Sequence, residues 1–213
     1  MNRTHIPGIL AMAAIVVASN ILVQFLILDG LLTWGAFTYP LAFLVTDVMN
    51  RVYGAGPARR VVLAGFVTGI VCSLIGSQIM LQGDGYEYAA VPLRIAVGSG
   101  TAFLIAQLTD VAVFNRFREG RWWRAPLVST LIGSALDTAL FFTIAFSATL
   151  SFGATADAAI SWAQGPVPFM TAGPDAPLWV SLAFADWMVK LALALIALLP
   201  FRIIVGAMLP RTT

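Results

Sequence analysis

Six apolar stretches, each close to the length of a membrane-crossing helix, leave this chain few ways to fold. A bilayer core about 30 Å thick takes about 20 apolar residues in a helix, and stretches of that size fall near 8–28, 33–53, 60–81, 93–114, 126–150 and 178–201. They are continuously apolar, where the strands of a closed barrel would alternate, so they read as helices. Of the 213 residues 60% are hydrophobic and only 10% charged, against about 25% charged in a soluble domain. Such a surface cannot face water. The expectation is a single all-α integral membrane domain over 1–213, with six transmembrane helices. The first stretch has the length of a span and no clear small-x-small cleavage site, so it reads as helix one and not as a signal peptide.

The connections set the orientation. Arg59 and Arg60 follow span two, Arg116, Arg118, Arg121 and Arg124 follow span four, Arg202 and Arg211 follow span six, and Arg3 precedes span one. The opposite connections hold Asp29, Asp84, Glu87, Asp157 and Asp175 with no Lys or Arg between the spans. The positive-inside rule then places both termini in the cytoplasm. Arg94, at the outer start of span four, breaks the pattern; it either snorkels to the outer headgroups or serves at the outer mouth. Gly65, Gly69, Ser73 and Gly76 form a small-residue stripe that lets another helix approach span three closely. Trp34, Trp122, Trp123 and Trp179 fall near the expected interfaces, as aromatic-belt anchors do. The periplasmic segment 151–177 is too long for a turn. It can reach over the outer mouth, and it carries no recognisable site of its own.

Polar residues inside the spans are costly, a few kcal/mol each near the bilayer centre. Asp47, Asp110, Asp137 and Asp186 lie in four different spans. "TDVMNRV" at 46–52 resembles "TDVAVFNRF" at 109–117, and spans two and four run the same way. Two readings fit that echo: helix ends finished by local Asp–Arg pairs, or an inner gate in which Asp47/Arg51 and Asp110/Arg116, with Asn50 and Asn115 beside them, pair across helices and separate during transport. Asp186 and Lys190 are four apart and can neutralise each other. Asp137 has no basic partner at helical spacing, which suits an acid that holds a ligand or a proton. Asn20 and Gln24, also four apart, add neutral hydrogen-bonding groups.

Other classes fit poorly. One histidine, His5, gives no imidazole set for zinc, and one cysteine, Cys72, excludes an internal disulfide. Neither a Ser–His pairing within the spans nor a Gly-rich phosphate loop is present, so neither an enzyme, a metal site nor a cofactor is expected. A channel would more naturally repeat one ring residue by symmetry. A net charge of only +2 gives no sign of a nucleic-acid partner. Transport of a small polar solute accounts best for separate interior polar groups.

Three blocks carry a resemblance: "TWGAFTYPLAFLVTDVMNRVYGAGPARRVV" (33–62), "QLTDVAVFNRFREGRWWRAPLVSTLIGSALDTALFFTIAF" (107–146) and "ADWMVKLALALIALLP" (185–200), with the shorter "SNILVQ" (19–24) and "RIA" (94–96). Together they resemble the YhhQ-like queuosine precursor transporter family, also called the vitamin uptake transporter group. The outer segment 151–177 is longer than the family's pattern. The resemblance implies a six-helix importer of the 7-deazaguanine bases preQ0 and preQ1 in a bacterial inner membrane. It also implies kinship with the substrate-binding subunits of energy-coupling-factor transporters, which need an ATPase module. A guanine-type edge presents N–H donors that a carboxylate accepts in pairs. The expected base-binding set is then Asp137 and Asp186, with Lys190 keeping Asp186 ionised, Trp34, Phe37, Phe141 and Trp187 for stacking, and Asn20 and Gln24 for the remaining edge. The expected partners are a small deazaguanine and the lipid bilayer; homo-oligomerisation is left open. The rival readings are a binding subunit of an energy-coupling-factor system and a membrane assembly protein that transports nothing.

Overall fold

The computed structural model describes residues 5–23, 25–27, 32–83 and 86–209. Gln24, together with Arg3, Asp29, Asp84 and Arg211 of the orientation argument, lies outside the described residues.

The chain is mostly helical. It begins with α1 (Ile6–Leu22), started by a proline in its first turn. A short antiparallel hairpin of β1 (Leu26–Ile27) and β2 (Leu32–Thr33) follows, then the single turn α2 (Gly35–Thr38) and α3 (Leu41–Tyr53). Gly54, at φ 92°, takes a left-handed conformation that a side chain would oppose, and it reverses the path into α4 (Ala55–Gly76). A second hairpin, β3 (Met80–Gly83) with β4 (Tyr86–Ala89), leads to α5 (Leu93–Phe117) and α6 (Arg124–Phe146). The outer segment holds α7 (Ala154–Ala158) and a third hairpin of β5 (Pro166–Pro168) and β6 (Asp175–Pro177). The last helix, α8 (Leu178–Met208), runs on through Pro200.

Four helices, α4, α5, α6 and α8, are long and apolar enough to cross a membrane, and α1 is a shorter apolar helix of 17 residues. Their outward faces agree with that. Leu63, Val67, Ile70, Val71 and Leu74 on α4, and Leu195, Ile196, Leu199 and Ile203 on α8, stand exposed at helical spacing, which in water would be a large unpaired apolar patch. The features are those of a multi-pass helical membrane protein.

Three sequence expectations need correction. The stretch 33–53 is not one helix, because Pro40 has no amide to give the carbonyl four residues back, and the helix breaks between α2 and α3. The first stretch stops being helical at Leu22. The all-helical reading missed the three hairpins, whose strands of two to four residues are too short to show an alternating pattern.

Packing of the bundle depends on close helix approach. The small stripe on α4 receives α1 and α5: a Cβ built at Gly65 would lie 2.6 Å from Met12 and 2.9 Å from Phe103. Met12, Val16, Val61, Val62 and Phe103 form the apolar cluster at this seam. On the other side Gly133 lets α6 close on α3 and α5, since its Cβ would lie 2.8 Å from Phe43 and 3.4 Å from the Ala106 carbonyl. Overfilling such a seam costs about 1–3 kcal/mol. Gly65→Leu is therefore expected to lower the melting temperature of the purified protein in detergent by several degrees. Gly56→Ala, where nothing lies within 4 Å of the added carbon, should not lower it.

Candidate functional site

The break at Pro40 leaves Tyr39 at the joint between α2 and α3, and there it faces α6 and α8. Its hydroxyl donates to Asp137 Oδ1 at 2.8 Å. On α8, Asp186 and Lys190 share a face one turn apart, and Lys190 Nζ reaches Asp186 Oδ2 at 2.5 Å. The same ammonium crosses to α6, 2.7 Å from Asp137 Oδ2 and 3.0 Å from Thr138 Oγ1. Thr138 in turn donates to Asp186 Oδ2 at 2.9 Å. The Tyr39 ring lies 5.5 Å from Lys190 Nζ, within cation–π range. All three donor positions of the ammonium are thereby met, by two carboxylates and a hydroxyl.

This network floors a cavity of about 330 Å³ between the helices, a size that suits a small organic ligand. Asp186 is 16% exposed, more than Asp137 or Lys190, and its Oδ1 takes no part in the contacts above. The walls bring Phe141, Phe142 and Phe146 from α6, Phe66 and Phe103 from α4 and α5, and Trp162 from the outer segment. Asn20 also lines the cavity, while its Nδ2 donates to Val16 O of its own helix at 2.9 Å.

The structure thus brings Asp137, Asp186, Lys190, Asn20 and Phe141 to one cavity, and it separates three expected members from it. Trp34 is 51% exposed, and among the described residues its ring meets that of Phe37. Phe37 packs with Leu32, Ala36 and Ala185. Trp187 buries an indole N–H that has no partner among the described residues, and it does not line the cavity. Stepping one helical position from Asp186 turns a side chain by about 100°, which takes Trp187 off the cavity face. Tyr39, Thr138 and Trp162 were missed. A threonine adjoining a buried acid was the available signal for Thr138.

Asp137, solitary by spacing along its own helix, has Lys190 as its partner across the interface. At the other end of the bundle the expected Asp–Arg pairs are not formed. The ion pairs among the described residues are Arg94–Asp157, Lys190–Asp137 and Lys190–Asp186. Arg51 donates to the backbone carbonyls of Arg118 and Trp122, and Arg118 returns a bond to Arg51 O at 3.0 Å. Arg116 and Asn115 are exposed while Asp110 is buried, because six residues along a helix rotate by about 600°, away from the starting face. Asn50 is buried and donates to Val111 O at 3.0 Å, tying α3 to α5.

Arg94 does not snorkel. Only 1% exposed, it donates to Ile144 O at 2.9 Å, to Ser147 O, and to Asp157 Oδ1 at 2.8 Å, with its guanidinium over the Phe152 ring. It fixes the outer segment to the ends of α5 and α6, and Gln164 adds a bond to Phe146 O at 2.5 Å. Trp162 is thereby held over the cavity.

An apolar helical bundle with a ligand-sized chamber over an ionic floor is the arrangement of a multi-pass membrane protein with an interior polar site. The chain belongs to the family described as "Putative vitamin uptake transporter", which matches residues 33–205. It is 34% identical over 207 residues to the "Queuosine precursor transporter" of Escherichia coli (strain K12), covering 92% of this chain and 84% of that protein. It is 34% identical over 175 residues to the "Probable queuosine precursor transporter" of Haemophilus influenzae, covering 79% of this chain and 66% of that protein. A Bacillus subtilis protein of the same description is 27% identical over 193 residues, covering 84% of this chain and 73% of its own length. No solved structure matches the chain.

The Phe152 amide, the Ser151 hydroxyl and then Arg94 hold the Asp157 carboxyl below the usual carboxylate range. The sign follows from linkage: a depressed acid contributes stability above its unfolded value, near 4, and loses it as pH falls through its folded value. Melting curves from pH 7 to pH 3 should show Asp157→Asn below the unsubstituted protein at neutral pH. The gap should close towards the acid end.

Proposed function

We propose that the chain imports queuosine precursors, the 7-deazaguanine bases preQ0 and preQ1, across a bacterial inner membrane for tRNA queuosine salvage. The observation that carries this reading is the ionic floor of the cavity, where two carboxyls converge on one ammonium. A guanine-type edge presents neighbouring N–H donors, and a carboxylate accepts such donors in short charge-assisted bonds. Asp186, the acid most open to the cavity, accepts that edge, with Asp137 behind it. Lys190 pairs with both acids while the site is empty. Asn20 reads the remaining edge. Phe141 and its aromatic neighbours take the flat faces, a contact worth about 1–3 kcal/mol where bases stack on aromatic side chains. The relatives' descriptions support the same substrate class.

In this reading the polypeptide crosses six times, through α1, the broken α2–α3 pair, α4, α5, α6 and α8, with both termini cytoplasmic. The arginines at the α3–α4 and α5–α6 junctions face the cytoplasm, and the outer segment covers the periplasmic mouth. The protein binds and carries; no bond is made or broken, so no catalytic residue or cofactor is assigned.

The test is uptake of labelled preQ0 and preQ1 by proteoliposomes containing this chain alone. Loss of one charge-assisted hydrogen bond is worth about 1.5–3 kcal/mol, so Asp186→Asn should lower uptake at least about tenfold, and Asp137→Asn should do likewise. Unchanged uptake in both variants at equal protein level would remove the cavity from the reading. With two acids against one lysine, the floor has one acid in excess. The aminomethyl cation preQ1 should therefore compete better than the neutral nitrile preQ0, and Asp186→Asn should narrow that preference.

A further inference from the structure

A second acidic site lies about two turns further along α3 and α5, towards the ends that carry arginines. Asp47 and Asp110, 3% and 0% exposed, put their carboxyl groups in contact with each other. Asp47 is well served: Ser129 Oγ donates to Oδ1 at 3.1 Å and Thr130 Oγ1 to Oδ2 at 3.2 Å. Asp110 is not. Neither of its oxygens receives a well-formed hydrogen bond from any described residue. The Ser129 hydroxyl lies close enough to interact with it but has one proton, which is directed to Asp47, and a buried carboxylate short of donors is costly.

The charged groups of the surrounding elements do not supply the missing donor. On α3, Arg51 is one turn from Asp47, but its guanidinium goes to the carbonyls of Arg118 and Trp122 and lies against the Phe114 ring. On α5, Arg116 is exposed, and on α4 so are Arg59 and Arg60. On α6 the neighbours are Ser129, Thr130 and Gly133, whose backbone packs against Asp110. On α8 the face near Asp47 is Leu198 and Phe201, with Leu193 and Ala194 above. His5 of α1 stacks on Tyr53, beyond the C-terminal side of the pair. Two adjacent carboxyls with no cation cannot both be ionised in such surroundings. A single proton answers both faults in part: it removes the repulsion, and as an Asp110 O–H donating to Asp47 it gives one of the two orphaned oxygens a partner. Beside Asp47 and Thr130 a crevice of about 10 Å³ opens between α3, α6 and α8, close to the volume that admits one water.

We propose that the Asp47–Asp110 pair is a proton-binding site, and that the proton it holds is the coupling ion for import through this chain. The proton binds between the two carboxyls and leaves to water by way of the crevice when the helices around it part. Nothing is oxidised or reduced. The proton site stands on its own geometry, while its coupling role rests on the import reading above.

Two measurements separate these. Infrared difference spectra of the purified protein, titrated with acid and base in H₂O and D₂O, should show a protonated carboxyl band at neutral pH. The band should shift on deuteration, disappear in Asp110→Asn and in Asp47→Asn, and survive in Asp186→Asn. Absence of the band in the unsubstituted protein, or its loss on adding NaCl at fixed pH, would overturn the proton site whether or not the variants fold. In proteoliposomes an inward proton gradient should raise preQ1 uptake at least fivefold, with no such rise for Asp110→Asn. Uptake indifferent to the gradient would overturn coupling. No uptake of either base under any gradient, with the band intact, would sink the import reading and leave the proton site standing.

Discussion

An ionised group can persist among apolar helices only if its charge is answered within hydrogen-bonding distance, and that constraint organises this protein. Lys190 is the clearest case. An isolated ammonium near the bilayer centre costs a few kcal/mol or more, yet here Nζ is ringed by Asp137, Asp186 and Thr138. Satisfying it requires α6 and α8 to sit side by side and in register, and it draws Tyr39 of the α2–α3 joint onto Asp137. Removing one partner of such a set is far more damaging than replacing the whole set by apolar residues would be. The cost is retained where the ions face a chamber, which is where a ligand can use them.

The two acidic sites answer the constraint differently. At the triad, negative charge is balanced by a lysine and several hydroxyl donors. At Asp47 and Asp110 the described surroundings offer two hydroxyls to one acid and no well-formed donor to the other. The first arrangement is preorganised for a ligand rich in N–H donors, while the second is completed by the smallest cation. The two sites share α5 and α6, which line the chamber and also supply Asp110 and the Ser129 and Thr130 hydroxyls of the acid pair. Thr46, between them on α3, bonds Gln107 of α5 at 2.6 Å, so the helices are joined at intermediate depth.

Much of this was legible in the residues. Continuous apolar runs marked the four long helices within five positions at each end, save the C-terminus of α8, which runs seven residues further, and a carboxyl inside such a run marked an interior face each time. The small stripe on α4 foretold the seam with α1. What spacing could not give was partnership across helices: rules for i and i+4 find Asp186–Lys190 and are blind to Asp137–Lys190. The Thr-Asp-Val echo drew attention to Asp47 and Asp110, but the arginines that follow each acid were read as its partners, whereas backbone carbonyls take Arg51 and Arg116 is exposed. Pro40 was visible in the sequence and was outweighed by the apolar residues on both sides. Aromatic candidates fared worst, because Trp34, Phe37 and Trp187 are equally at home in a lipid-facing surface or a packed core.

The interruption at Pro40 has a consequence for anyone dissecting the chamber by substitution. Ala36 belongs to the chamber's lining, and with a proline four residues later its carbonyl lacks the amide that a continuous helix would have turned towards it. The helical hydrogen bond that position 36 would make in an unbroken span is therefore missing whichever side chain stands there. Exchanging the chamber's carboxyls, amide and rings one at a time leaves that break in place, and only a residue with an amide at position 40 could close it.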